Sequence, residues 1–147
     1  MRVGTLSQSF RPMRRPLAIA FLAAALAVGC GRGEESLGQQ IYHDGVGANG
    51  RLAYTQGPEW LRFVTEGCAV CHGRSGEGLV VKAGEVTGAA PALTRAALAE
   101  RGYDGQALRR AIISGVAPGG RELQAYMPRW SMSESELDAL LAYLDTL

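Results

Sequence analysis

An all-α domain is what this 147-residue chain predicts, on three observations. The first is the C-terminal stretch, where Ser133 and Glu136 have capping-box spacing and Leu137, Leu140, Leu141 and Leu144 recur at i, i+3, i+4 and i+7. The second is a pair of shorter segments with helix punctuation at both ends. In "TRAALAERG" Thr94 is placed to cap and Gly102 to terminate, and "DGQALRRAIISG" lies between Asp104 and Gly115 with Leu108, Ala111 and Ile112 on one side. The third is that no sustained apolar–polar alternation appears between these helices.

The N-terminus sets the compartment. Arg11, Arg14 and Arg15 precede twelve uncharged apolar residues, Leu17 to Val28, with no acidic residue before Glu34. Such a run is shorter than the roughly 18–20 residues that span a bilayer, and it has the form of an export signal. "LAVGC" resembles the box at which bacterial lipoproteins are cut before a cysteine that then carries lipid. Residues 1–29 are therefore expected to be a lipoprotein export signal, Cys30 the lipidated residue, and residues 30–37 a polar tether. Acyl chains on Cys30 would hold the protein on the periplasmic side of a bacterial membrane without a spanning helix. Four of the fifteen basic residues fall in the signal, leaving eleven against fourteen acidic ones, a net charge of −3. No basic patch of the kind that recruits nucleic acid remains.

Residues 38–147 form the expected domain. "GQQIY" begins a short helix at Gly38–Tyr42, and residues 43–57 read as a glycine-rich loop insertion with turn signals at Asp44-Gly45 and Asn49-Gly50 that leave room for a small hairpin. Pro58 suits the first turn of a helix through "EWLRFVTEG", with Trp60, Leu61 and Val64 sharing a face. Residues 73–90 are glycine-rich and aperiodic, and are expected to be mostly loop. About 117 residues make a small core, one that a bound group would help to complete.

The chemistry concentrates in "CAVCH", residues 68–72. Cys-x-x-Cys-His is the attachment signature of c-type haem. Two thiols one helical turn apart reach two vinyl groups on one porphyrin edge, and the histidine that follows lies under the ring as proximal ligand. Cys68 and Cys71 are thus expected to carry one covalent haem c, with His72 on its iron. Three other readings compete: a structural zinc site, which needs four ligands and lacks a second cysteine pair; a thioredoxin-type redox pair, which needs a surrounding sheet; and a simple Cys68–Cys71 disulfide, which leaves His72 unexplained. The sixth ligand is sought among Met127, Met132 and His43. Met127, in "AYMPRW" between a loop and the last helix and stiffened by Pro128, is the choice. Met132 directly precedes the helix cap and is expected to pack or lie exposed, and His43 is expected to be an exposed loop residue.

Export signal, "CAVCH", "PAL" at Pro91–Leu93, "YMPRW" and the terminal "ELDALLAYL" together resemble the class I mono-haem c-type cytochromes of bacteria, over most of residues 58–147. That resemblance implies a small helical shell around one haem, with the first and last helices crossing near the attachment site. It implies that Pro91 marks the loop whose carbonyl bonds to His72, fixing the imidazole and raising its ligand strength. Members of the family often carry glycine and an aromatic four residues apart just ahead of the haem motif. Gly38 and Tyr42 have the spacing but come early, whereas Trp60 and Val64 have the register. The crossing helix is therefore either residues 38–43, followed by a long insertion, or residues 58–66, with the first preferred. A lysine docking ring is excluded because Lys82 is the single lysine.

With iron held on both faces, the function read from the sequence is one-electron transfer in a bacterial respiratory or periplasmic redox chain, between redox-protein donor and acceptor. The chain is not expected to be an enzyme. The alternative is a haem c subunit permanently bound to a membrane or periplasmic dehydrogenase or oxidase. Arg129 and Trp130, beside Met127, either reach a haem propionate or serve as surface and core.

Overall fold

The structure, a computed structural model, describes residue 1, residues 35–83 and residues 86–147. Residues 2–34, with nearly all of the expected export signal and the expected lipidation site Cys30, lie outside the described residues. No helix among the described residues is long and apolar enough to cross a membrane.

Two helices form the frame. Helix α1 (Leu37–Asp44) is capped by the Ser36 hydroxyl, which accepts from the Gln39 amide, and ends at Gly45 in the left-handed conformation. Helix α5 (Glu134–Leu144) begins at the Ser133–Glu136 capping box. The two cross at Gly38, where the absence of a side chain lets the backbones meet: a Cβ at that position would lie 2.0 Å from the carbonyl oxygen of Ala139. Ile41 and Tyr42 from α1 and Leu137, Leu140 and Leu144 from α5 are buried together, so the two apolar stripes close on each other. Of the two placements for the crossing helix, the structure has the earlier one. Residues 59–63 form a 3-10 turn (Glu59–Phe63) instead of the α-helix expected there, and bury Leu61.

Helix α2 (Ala69–His72) is a single turn, and α3 (Arg95–Glu100) and α4 (Gly105–Ser114) follow the caps read from the sequence. The side chains of Thr94 and Asp104 accept from the amides of Ala97 and Ala107, and Gly115 closes α4 at φ +68°. Serine, threonine and aspartate do this work because their short oxygens reach donors that the first helical turn leaves unpaired.

The all-α expectation is overturned by three antiparallel strand pairs. β1 (Val46–Gly47) pairs with β2 (Gly50–Arg51), β3 (Ala53–Gln56) with β6 (Arg129–Ser131), and β4 (Leu79–Ala83) with β5 (Val86–Ala90). The fold is mixed. Strands of two to five residues are too short for alternation to stand out, and the β3–β6 pair joins segments more than seventy residues apart. The β4–β5 hairpin fell in a stretch read as loop because its glycines masked the β-branched residues at Val80, Val81, Val86 and Thr87.

The capping box also ties down the segment that follows α1. One Glu136 carboxylate oxygen accepts from the Ser133 amide and hydroxyl, both at 2.8 Å, and the other accepts from the Ala48 amide at 2.9 Å. Bonds from the Ser133 backbone and hydroxyl, then from Ala48, outweigh burial and hold this carboxyl below its usual 4.5. A carboxyl depressed in the folded state stabilises fully above its unfolded pKa, and that contribution is lost as pH falls through the folded value. Glu136→Gln is expected to cost about 1–2 kcal/mol at neutral pH. It should also flatten the loss of stability below roughly pH 4.3. Denaturant melts at pH 7 and pH 3.5 check both: the gap between wild type and variant should narrow at the lower pH.

Candidate functional site

The attachment turn is held from beneath by α1. Gly67, just before Cys68, packs so closely on α1 that a Cβ would lie 2.3 Å from the Ile41 carbonyl oxygen, and its amide donates to the His43 carbonyl at 3.0 Å. Tyr42, fully buried, donates its hydroxyl to the Gly73 carbonyl at 2.7 Å. Burial first, then the nearby Cys68, Tyr143 and Glu77, raises the Tyr42 pKa, so the hydroxyl keeps its proton for this bond. Between these anchors the chain makes one turn: the amides of Cys71 and His72 both donate to the Cys68 carbonyl.

His72 is 6% exposed, and its Nδ1 lies 2.8 Å from the carbonyl oxygen of Pro91. A carbonyl only accepts, so Nδ1 carries the proton and Nε2 keeps its lone pair. Burial lowers the His72 pKa, partly offset by that bond and aided by the positive charge of Arg101, which favours the neutral imidazole a metal requires. The β4–β5 hairpin places the acceptor, since Leu79 pairs with Ala90 at its open end and Pro91 follows directly. Nothing in the sequence periodicity announced that hairpin, although "PAL" marked its exit.

Above the turn is a predominantly apolar cavity of about 250 Å³, lined among others by Cys68, Cys71, His72, Leu98, Met127 and Trp130. One water needs only about 10–15 Å³ of such space, so this is a binding volume and not a packing fault. A haem fits it on three counts. The walls are apolar. Trp60 lines the cavity with its indole Nε1–H buried and unpartnered, a donor left for a polar edge. Both thiols are free and carry their protons, because burial pushes Cys68 up to about 12 and raises Cys71 as well. Protonated thiols suit addition to a vinyl group better than binding of zinc, and no cluster of three or more His, Cys, Asp or Glu among the described residues is arranged to hold a metal ion.

The remaining candidates separate clearly. Met127 is half-buried on the cavity wall, in a turn where its amide donates to the Gln124 carbonyl at 3.0 Å. Met132 packs on the hydrophobic core and His43 is not exposed as expected, being 9% exposed at the end of α1 with Nε2 3.1 Å from the Tyr143 hydroxyl. Neither lines the cavity. Trp130 is core and cavity wall. Arg129 is buried, with its guanidinium on the carbonyls of Met127 and Leu123. Residues that sequence reasoning missed are Trp60 as an orphaned donor and Arg101, which spans from α3 to the Ala92 carbonyl beside the His72 loop. The sequence places Trp60 on an apolar face with Leu61 and Val64, which does not show that its N–H lacks a partner, and the reach of Arg101 to the Ala92 carbonyl has no local sequence signal.

Two thiols and an imidazole on a single helical turn, set under an apolar cavity, define a c-type haem protein. The cytochrome c family model matches residues 62–147, more than half of the chain, and the protein belongs to that family. Neither the curated proteins nor the solved structures yield a match to the chain. Membership brings covalent haem c through the Cys-x-x-Cys-His spacing of Cys68 and Cys71, haem-based electron transfer and redox partners, in a domain typical of electron carriers. The match begins beyond α1, so the helix that carries the crossing glycine lies outside it.

Proposed function

We propose that the protein is a one-electron carrier whose haem iron is bound by His72 Nε2 on one face and Met127 sulfur on the other. It works on the periplasmic side of a bacterial membrane, held there by lipid on Cys30, and passes electrons between redox proteins of a respiratory or periplasmic chain. The observation that carries the reading is that His72 and Met127 line the same apolar cavity. Haem supplies one reversible electron, its iron cycling between the ferrous and ferric states.

The chain's own residues do the rest. Cys68 and Cys71 hold the group covalently in a compartment where a lost cofactor is not recovered. The Pro91 carbonyl keeps the His72 Nδ1 proton and fixes the ring, which strengthens the ligand. Met127 would hold the iron through a soft sulfur that favours the ferrous state, and the apolar walls would disfavour the added charge of the ferric state, so both would raise the reduction potential. With Lys82 as the single lysine, partner docking uses arginine and acidic side chains or apolar contact.

The test is the ferric spectrum of purified holoprotein. Wild type should show the far-red sulfur-to-iron charge-transfer band. Met127→Ala should lose it and lower the reduction potential by on the order of 0.1–0.2 V, within the roughly 0.8 V range that axial ligands span. A spectrum unchanged by Met127→Ala removes Met127 from the iron. The intact mass of the same preparation reads whether acyl chains sit on Cys30.

A further inference from the structure

The segment between α1 and the attachment turn grips the Met127 loop from one side while Arg129 holds it from within. In the β3–β6 pair Ala53 faces Ser131 and Tyr54 faces Trp130, and the Thr55 hydroxyl, at the irregularity, donates to the Arg129 carbonyl at 3.4 Å. The Tyr54 ring meets Trp130 edge-on at 5.9 Å, and its hydroxyl donates to the Pro58 carbonyl at 2.9 Å. The segment is secured at its other end by the bond from Ala48 to Glu136 in the α5 capping box.

Arg129 is 7% exposed, and among the described residues no carboxylate pairs with it. Its guanidinium donates instead to the Met127 carbonyl at 2.5 Å and the Leu123 carbonyl at 2.9 Å. Gly115 makes room for it: a Cβ there would lie 1.7 Å from Nε. Burying a cation costs free energy that charge-assisted bonds must offset. Here those bonds staple both ends of the turn that carries Met127.

We propose that β3 and Arg129 are positioning elements for the axial methionine, with the inserted segment acting as a strap that keeps the sulfur at the iron. This rests on the His72/Met127 ligation proposed above. A thioether is a weak ligand, so its retention depends on how little freedom the loop has. A loop tied on both sides presents its sulfur at high effective concentration, and untying either side lets a competing ligand in.

Imidazole competition at the ferric iron tests this in full-length holoprotein, with wild type compared with Tyr54→Ala, Arg129→Gln and Arg129→Lys. Imidazole affinity is expected to rise about tenfold in Arg129→Gln, through its lost charge-assisted hydrogen bonds, and by a similar factor in Tyr54→Ala, through its lost ring contact with Trp130 and bond to Pro58. Arg129→Lys, which keeps part of the donor set, should fall between. Leu37→Ala, which loosens the core at α1 away from the loop, should lower the unfolding midpoint without raising imidazole affinity; a purely structural role for Tyr54 and Arg129 predicts that they behave like it. If Arg129→Gln does not fold, Tyr54→Ala carries the test. Amide exchange across residues 124–131 reads the strap without reference to the iron and should quicken about tenfold in Tyr54→Ala. Unchanged imidazole affinity together with unchanged exchange overturns the strap. A wild-type protein lacking the sulfur–iron band overturns the ligation reading instead, and the exchange result still decides whether β3 restrains the loop.

Discussion

A chain with both attachment thiols removed, Cys68→Ala with Cys71→Ala, is expected to be recovered without covalent haem and largely unfolded at 37 °C. The cavity is the reason. Its roughly 250 Å³ lies against core residues Leu61, Ile112, Leu140 and Leu144. Left unfilled, a fully enclosed cavity costs about 24 cal/mol per Å³, so a partly open one of this size costs at most roughly 6 kcal/mol. That is comparable to the whole stability of a small domain, about 5–15 kcal/mol. Haem is therefore part of the core as well as the redox group. Intact mass and far-UV circular dichroism of the double variant read the two effects together. A folded chain of wild-type stability without added porphyrin mass would show that the cavity is not held open by the cofactor.

Gly38→Ala should be the most damaging single methyl in the frame, at about 3 kcal/mol or more. Alanine ordinarily helps a helix by about 1 kcal/mol over glycine. Here the added Cβ would lie 2.0 Å from the Ala139 carbonyl oxygen, 2.7 Å from its carbonyl carbon and 2.9 Å from Tyr143 Cβ. Two of those three neighbours are backbone atoms that cannot swing away, so α1 and α5 must separate and overpacking outweighs propensity. The displacement would reach the haem turn through Ile41 and Tyr42, whose carbonyls crowd Gly67. Gly105→Ala, whose Cβ would meet nothing within 4 Å at the start of α4, is the control and should be neutral or slightly stabilising. Chemical denaturation of the two holoproteins measures the contrast; equal midpoints would mean that the crossing at Gly38 gives way without cost.

Much of the site was legible because its signals are local. Cys68, Cys71 and His72 fall within five consecutive residues, and their spacing follows from one helical turn. The caps at Thr94, Asp104 and Ser133 act within three residues, and each accepts the amide that its position predicts. Met127 stood out by its chemical type beside Pro128. The strands left no comparable trace. β1 and β2 have two residues each, and β3 and β6 become strands only through each other. His43 shows the same limit, because glycines on its C-terminal side suggested a loop, yet it is the last turn of a helix and is buried against Tyr143.

The amino-acid order alone determined the chemistry of this protein: which sulfurs take the haem, which imidazole follows them, and where three of its helices begin and end. Those properties depend on neighbours a few bonds or one helical turn away. Tertiary structure decided which of two segments crosses the last helix, that the connecting segment and the stretch after the haem turn form strand pairs beside the helices, and that Arg129 turns inward onto the Met127 loop. Each of these depends on groups distant in sequence meeting in space, where the fit of Gly38 to Ala139 or of Arg129 to Gly115 selects one arrangement, and no single segment contains that information.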